Sequence, residues 1–221
     1  MDRYIAALYE IVTRGRNANS YKFALWRALT RLAPITDSKI ISKHDLSPLF
    51  LEYYWPLEIK YHIRQSTDPD KDPIVMKLVR QLINTGVVKQ AETLKDFQRK
   101  NPQQYDKLIE RIARAAFDDV IPRFHIIHDE PIATKIFEFT GRIGKAGDTI
   151  QLTEGGKLLL IEYRKLVDYV AVSGWVRFTE AFTSAPRLHD KIDGTNLRRG
   201  AVSQWRDTLI AIQNGNLRRQ P

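Results

Sequence analysis

"NANSYKFALWRALTRLAP", residues Asn17–Pro34, carries the marks of a single amphipathic helix. Asn19 or Ser20 is a natural N-cap, because a short side-chain oxygen there can accept a hydrogen bond from an N–H that the first turn leaves unpaired. Tyr21, Ala24, Leu25, Ala28, Leu29 and Leu32 follow at offsets 0, 3, 4, 7, 8 and 11, which is one face of a 3.6-residue period. Pro34 stops the helix. Tyr21, Leu25 and Leu29 are therefore assigned to a core. Lys22, Arg27 and Arg31 lie off the stripe and form a candidate outward basic edge.

The same reading extends in both directions. Asp2 to Arg14 places Ile5, Leu8, Tyr9 and Val12 on one stripe, with Gly15 as the stop. Further helices are predicted over Ile74–Thr85, over Pro102–Asp119, from a Thr153 cap through Glu180, and over Ala201–Gln213. One segment reads two ways. Phe50, Tyr54, Leu57 and Tyr61 suit a helix started or kinked by Pro56, whereas Leu57, Ile59, Tyr61 and Ile63 alternate with polar residues as in a half-buried strand. Lys135–Phe139 and Thr149–Leu152 are strand-like runs around a Gly-rich turn and predict a β-hairpin. "STDPDKDP" is a loop by composition, and "SAPRLHDKIDGTNLRRG" is a loop with one short helical turn. The expected class is mainly α: a multi-helix domain with one small β-hairpin insertion. Residues 1–134 form its N-terminal helical part. Residues 135–221, the hairpin followed by long helices, pack on the same core.

Composition bounds what such a molecule can do. The 221 residues are 43% hydrophobic, enough for one core, or a main core with a satellite. No run approaches the roughly 18–20 apolar residues of a membrane helix, and the N-terminus reads as a structural helix, not a signal peptide. There is no cysteine, which removes disulfide scaffolds and thiolate zinc sites and fits a cytoplasmic location. The formal charge is +9, and residues 1–33 and 177–221 hold +4 each while the long middle is nearly neutral. If the two ends meet in the fold, they make a surface suited to a polyanion.

Few residues are arranged for catalysis. His125 and His128 stand three apart before Asp129 and Glu130, yet isoleucines separate them and no third histidine is near, so a surface turn is the better reading than a metal site. Arg123 and His128 make the R-x-x-x-x-H spacing that resembles the HEPN ribonucleases, with Phe124 where that family has a polar residue. Asp45, Glu58 and Lys60 resemble the PD-(D/E)xK nucleases, in which two carboxylates hold Mg²⁺ and the lysine helps position water. These two sets are the alternatives for a self-contained, metal-dependent or HEPN-like nuclease. No Walker loop, dinucleotide Gly fingerprint or nucleophile elbow is present. Trp26, Trp55, Trp175 and Trp205 lie on or near apolar faces, so core packing is preferred to base stacking.

Four motifs in order carry a broader resemblance. "NSYKFALWRAL", "YYWP" at Tyr53–Pro56, "WVRFTEAFTSAPRLHDKI" at Trp175–Ile192 and "RRGAVSQWRDTLI" at Arg198–Ile210 resemble the N-terminal region of bacterial HNH-type endonucleases of restriction or phage-defence type. Thr183 stands where that group carries Asn. The resemblance implies a catalytic ββα-metal module with paired cysteines, a His-Asn-His set and a divalent metal. This chain holds no cysteine and no histidine after His189. It is therefore expected to be the non-catalytic, DNA-binding support region, with no catalytic residue, metal or cofactor site of its own. Duplex DNA is the expected partner. The candidate phosphate contacts are Lys22, Arg27, Arg31, Arg198, Arg199, Arg206, Arg218 and Arg219. A structural module, such as one that forms a homodimer, is the remaining alternative.

Overall fold

In the computed structural model, residues 1–15, 17–90, 92–139, 148–185 and 187–193 are described. The chain is mainly helical, with a few short antiparallel strands in two small sheets. Helix α1 (Asp2–Arg14) and helix α2 (Tyr21–Leu32) form where the apolar spacing predicts them. The start of α2 is fixed by Asn19, whose Oδ1 accepts from the Tyr21 N–H at 3.0 Å. Strand β1 (Ile40–Ser42) leads into α3 (Lys43–Ile59) through a reciprocal cap. The Asp45 N–H donates to Ser42 Oγ at 3.1 Å, and the Ser42 N–H donates to Asp45 Oδ2 at 2.9 Å.

α3 resolves the ambiguous segment in favour of helix. Leu46, Phe50, Leu51, Tyr54, Trp55, Leu57 and Ile59 are all buried, although they point to different sides of the helix. A helix covered on nearly every side carries apolar residues all round and loses its periodic signature. The alternation over Leu57–Ile63 is thus the end of this helix and the chain leaving it, not a strand. Pro56 has no N–H to donate, and the helix ends at Ile59 after it.

Helices α4 (Ile74–Asn84), α5 (Leu94–Lys100) and α6 (Pro102–Ala115) follow, and α4 and α6 pack on α3. Gly86 ends the α4 region with a positive φ of 72°, a conformation costly for other residues. A two-residue pairing of β2 (Ile126–Ile127) with β3 (Glu130–Pro131) forms a small separate sheet. β4 (Phe137–Phe139) and β5 (Thr149–Leu152) are the expected antiparallel hairpin strands, and β1 joins β5 on its other side, giving the order β1-β5-β4. The hairpin's turn, residues 140–147, lies outside the described residues. Thr153 caps α7 (Glu154–Glu162) by accepting from the Gly156 N–H at 3.1 Å. The long helix expected from Thr153 to Glu180 is divided at Tyr163, and α8 (Arg164–Glu180) begins there. α9 (Leu188–Asp193) is the short turn expected in the following loop. The helix predicted over Ala201–Gln213 lies outside the described residues.

One apolar core joins residues on both sides of position 134. Phe124 packs on Phe137 at 5.1 Å between ring centres, and Trp175 packs on Tyr54 at 5.4 Å. The Trp175 indole N–H donates to Gln65 Oε1 at 2.6 Å, so the buried ring keeps a polar partner. Trp26, Trp55 and Trp175 are all buried, as core packing required. Trp205 lies outside the described residues.

Candidate nucleic-acid interface

The basic edge of α2 does not form as the sequence suggests. α2 is flanked by α3 and α8, and every residue from Tyr21 to Thr30 is buried, off-stripe positions included. Lys22 is 7% exposed, and its ammonium donates to the Ile126 carbonyl at 3.2 Å. Burial, opposed by nearby Asp119 and reinforced by Arg123, pushes its pKa down to about 8. Arg27 is 8% exposed. Its Nε meets Asp168 Oδ1 at 3.0 Å, its Nη1 donates to the Ile192 carbonyl at 2.8 Å, and its Nη2 donates to the Asp193 carbonyl at 3.3 Å. Its guanidinium also lies 4.8 Å from the centre of the Tyr53 ring. These two residues are internal fasteners and are corrected from phosphate contacts to structural groups. Long side chains at off-stripe positions reach polar partners inside the molecule instead of solvent.

Arg31 does face out. Its side chain is 42% exposed and pairs with Glu52 at 2.9 Å. It borders a cleft of about 460 Å³ between the second half of α2 and the start of α8, lined by Arg27, Thr30, Arg31, Arg164, Lys165 and Asp168. Arg164 and Lys165 are exposed and have no ion pair among the described residues. They occupy the first turn of α8, which contains no acid and whose N-cap, Tyr163, makes no side-chain cap bond. Cations at that end are repelled by the positive pole of the helix dipole, and no acid in that turn offsets them. Sequence reasoning missed this pair because it placed both residues inside one continuous helix. The signal, two adjacent cations opening a helix, exists only once the break at Tyr163 is known. Arg198, Arg199, Arg206, Arg218 and Arg219 lie outside the described residues.

The alternative catalytic sets are not assembled as they would need to be. Glu58 is buried on α3 and receives two bonds from Arg80, Nε at 2.8 Å and Nη2 at 2.9 Å, while Arg80 also holds Asp72. Asp45 serves the cap of α3, and the Lys60 ammonium sits 5.2 Å from the Tyr61 ring centre. The strand on which Glu58 and Lys60 would face a common metal is absent from this region. Arg123 pairs with Asp119 at 2.8 Å. His128 sits in the tight turn between β2 and β3 with φ of 52°, the turn expected for it. His125 is buried instead, its Nε2 accepting from the Ile136 N–H at 3.0 Å. Burial, helped by nearby Lys135 and Lys22, lowers its pKa to about 4, so it is neutral at pH 7. Among the described residues no group of three or more His, Asp or Glu side chains is placed to hold a metal. None of the described helices is long and apolar enough to cross a membrane. No family model, no curated protein and no solved structure matches the chain.

Proposed function

We propose that this chain is the DNA-binding support region of an HNH-type endonuclease of restriction or defence type. Hydrolysis of the phosphodiester would be performed, with a divalent metal, by a ββα-metal module not contained in these residues. One observation carries the reading. Arg27 of α2 is bonded to the carbonyls of Ile192 and Asp193, so the chain at residue 193 lies against α2. The C-terminal segment, with five arginines and one aspartate over residues 194–221, follows directly in the sequence. A basic segment that follows residue 193, together with the basic N-terminal segment, is the kind of charge surplus that phosphate neutralisation uses. The four ordered motifs add the family context.

The test is the affinity of the chain for duplex DNA across a salt series. The reading expects a steep loss of affinity as salt rises. Affinity that barely responds to salt argues for a structural or dimerising module instead. Cleavage of DNA by this chain, abolished by His128→Ala or Glu58→Ala, would sink the support role in favour of a self-contained nuclease.

A further inference from the structure

We propose that the α2–α8 cleft is a phosphate-binding site, formed by Arg31, Arg164 and Lys165 over a floor set by Arg27. The charge balance inside it points there. Asp168, the acid in the lining, is taken by Arg27 Nε at 3.0 Å, and Arg31 shares Glu52 at 2.9 Å. Arg164 and Lys165 are left with no carboxylate among the described residues, at the positive end of a 17-residue helix. Two adjacent cations there repel each other and the helix dipole, and a bound anion relieves both. The cleft's volume of about 460 Å³ is ample for a phosphate group and its neighbouring sugar. Its lining is cationic, with one hydroxyl from Thr30 and no aromatic ring. The lining thus offers charge for phosphate and no aromatic platform for a base, and the recognition is of phosphate, not sequence.

Arg27 has a positioning role. Its guanidinium is held by Asp168, Ile192 and Asp193, and it neutralises the carboxylate that would otherwise repel the ligand. The phosphate has two possible sources, a nucleic-acid backbone or a free phosphorylated small molecule. Its assignment to a DNA backbone rests on the function proposed above.

The experiment compares the whole chain with Arg164→Gln/Lys165→Gln and with a charge-matched control, Lys95→Gln/Lys107→Gln. The control residues are exposed on α5 and α6, outside the cleft lining. Fluorescence anisotropy of a labelled duplex is read from low to moderate salt. The cleft variant is expected to bind about tenfold more weakly at low salt, with its log–log salt slope reduced by roughly one to two, while the control changes little. If the duplex binds and both variants match the parent, the cleft proposal is overturned and DNA binding stands. If the duplex does not bind the parent, the DNA-binding reading fails, and inorganic phosphate and a nucleoside monophosphate are titrated with phosphorus NMR. Saturable binding lost only in the cleft variant then upholds the site with a small-molecule ligand. No binding in the parent overturns it.

Discussion

Arg27 places a permanent charge in the interior, and its surroundings supply four acceptors in place of water: the Asp168 and Asp193 carboxylates and the Ile192 and Asp193 carbonyls. Removing the guanidinium takes a partner from each of these acceptors, a loss felt most at the buried Asp193 and less at Asp168, whose side chain is 39% exposed. Arg27→Ala is expected to destabilise the fold by about 3–5 kcal/mol, and hydrogen exchange over residues 188–193 should accelerate. Urea denaturation measures the first effect, and an unchanged midpoint would show that the contacts carry no stability. His125 gives the pH-dependent counterpart. Its pKa falls from the ordinary 6.5 to about 4, so between those values the unfolded chain takes up a proton that the folded chain refuses. Its contribution is complete above pH 6.5 and is lost as the pH falls through about 4, on the order of 3 kcal/mol. His125→Gln keeps an acceptor for the Ile136 N–H but cannot protonate. The stability difference between the two proteins should therefore change across that window, and parallel pH profiles would refute the account. At this scale the sequence identifies which face of α2 is apolar but not how much of the rest is covered. That is why Lys22 and Arg27 look like surface charges until Ile126 of β2 and Asp168 of α8, 104 and 141 residues later in the chain, are laid against them.

Elements made by local signals are legible, and elements made by distant neighbours are not. α1, α2 and α4 follow from apolar spacing and terminal residues that act within a few positions. The capping role of Thr153 is equally local. β1, by contrast, is three residues whose strand character comes from pairing with β5, with Ile41 opposite Ile150. Nothing in "IIS" alone specifies that partner. α3 is obscured for the opposite reason, because burial on all sides removes the polar face that periodicity needs. Gly174 shows how tightly helices are fitted here. It lies inside α8, where alanine would ordinarily favour the helix by roughly 1 kcal/mol. A Cβ at this position would meet Val12 Cγ1 at 2.5 Å and Phe23 Cε1 at 2.8 Å, pushing α8 off α1 and α2. The overpacking is expected to exceed the propensity gain, so Gly174→Ala should lower stability by about 1–3 kcal/mol. A rise in thermal midpoint would mean that the three helices tolerate separation. The variant would also widen or distort the cleft between α2 and α8, so its DNA affinity should fall with its stability.

For the whole molecule, the distribution of charge separates surface that can face a polyanion from surface that cannot. Of the cations in residues 1–33, Lys22 and Arg27 are spent on internal contacts and Arg31 shares Glu52. The N-terminal surplus therefore supplies less free positive charge than its formal +4 suggests. The C-terminal segment has the opposite balance, with Arg198 and Arg199 adjacent and Asp207 the only acid after Asp193. If duplex binding is driven by phosphate neutralisation, the C-terminal arginines should contribute more per residue than Arg31 does. Each phosphate neutralised contributes about 0.9 to the log–log salt slope for duplex DNA. Arg198→Gln/Arg199→Gln is thus expected to shallow the slope by nearly two. Arg31→Gln, which removes a cation already shared with Glu52, should shallow it by clearly less than about 0.9. Anisotropy titrations of the same duplex at several salt concentrations measure both. Equal slopes in all three proteins would mean that these arginines do not meet phosphate, and that the basic ends serve solubility instead.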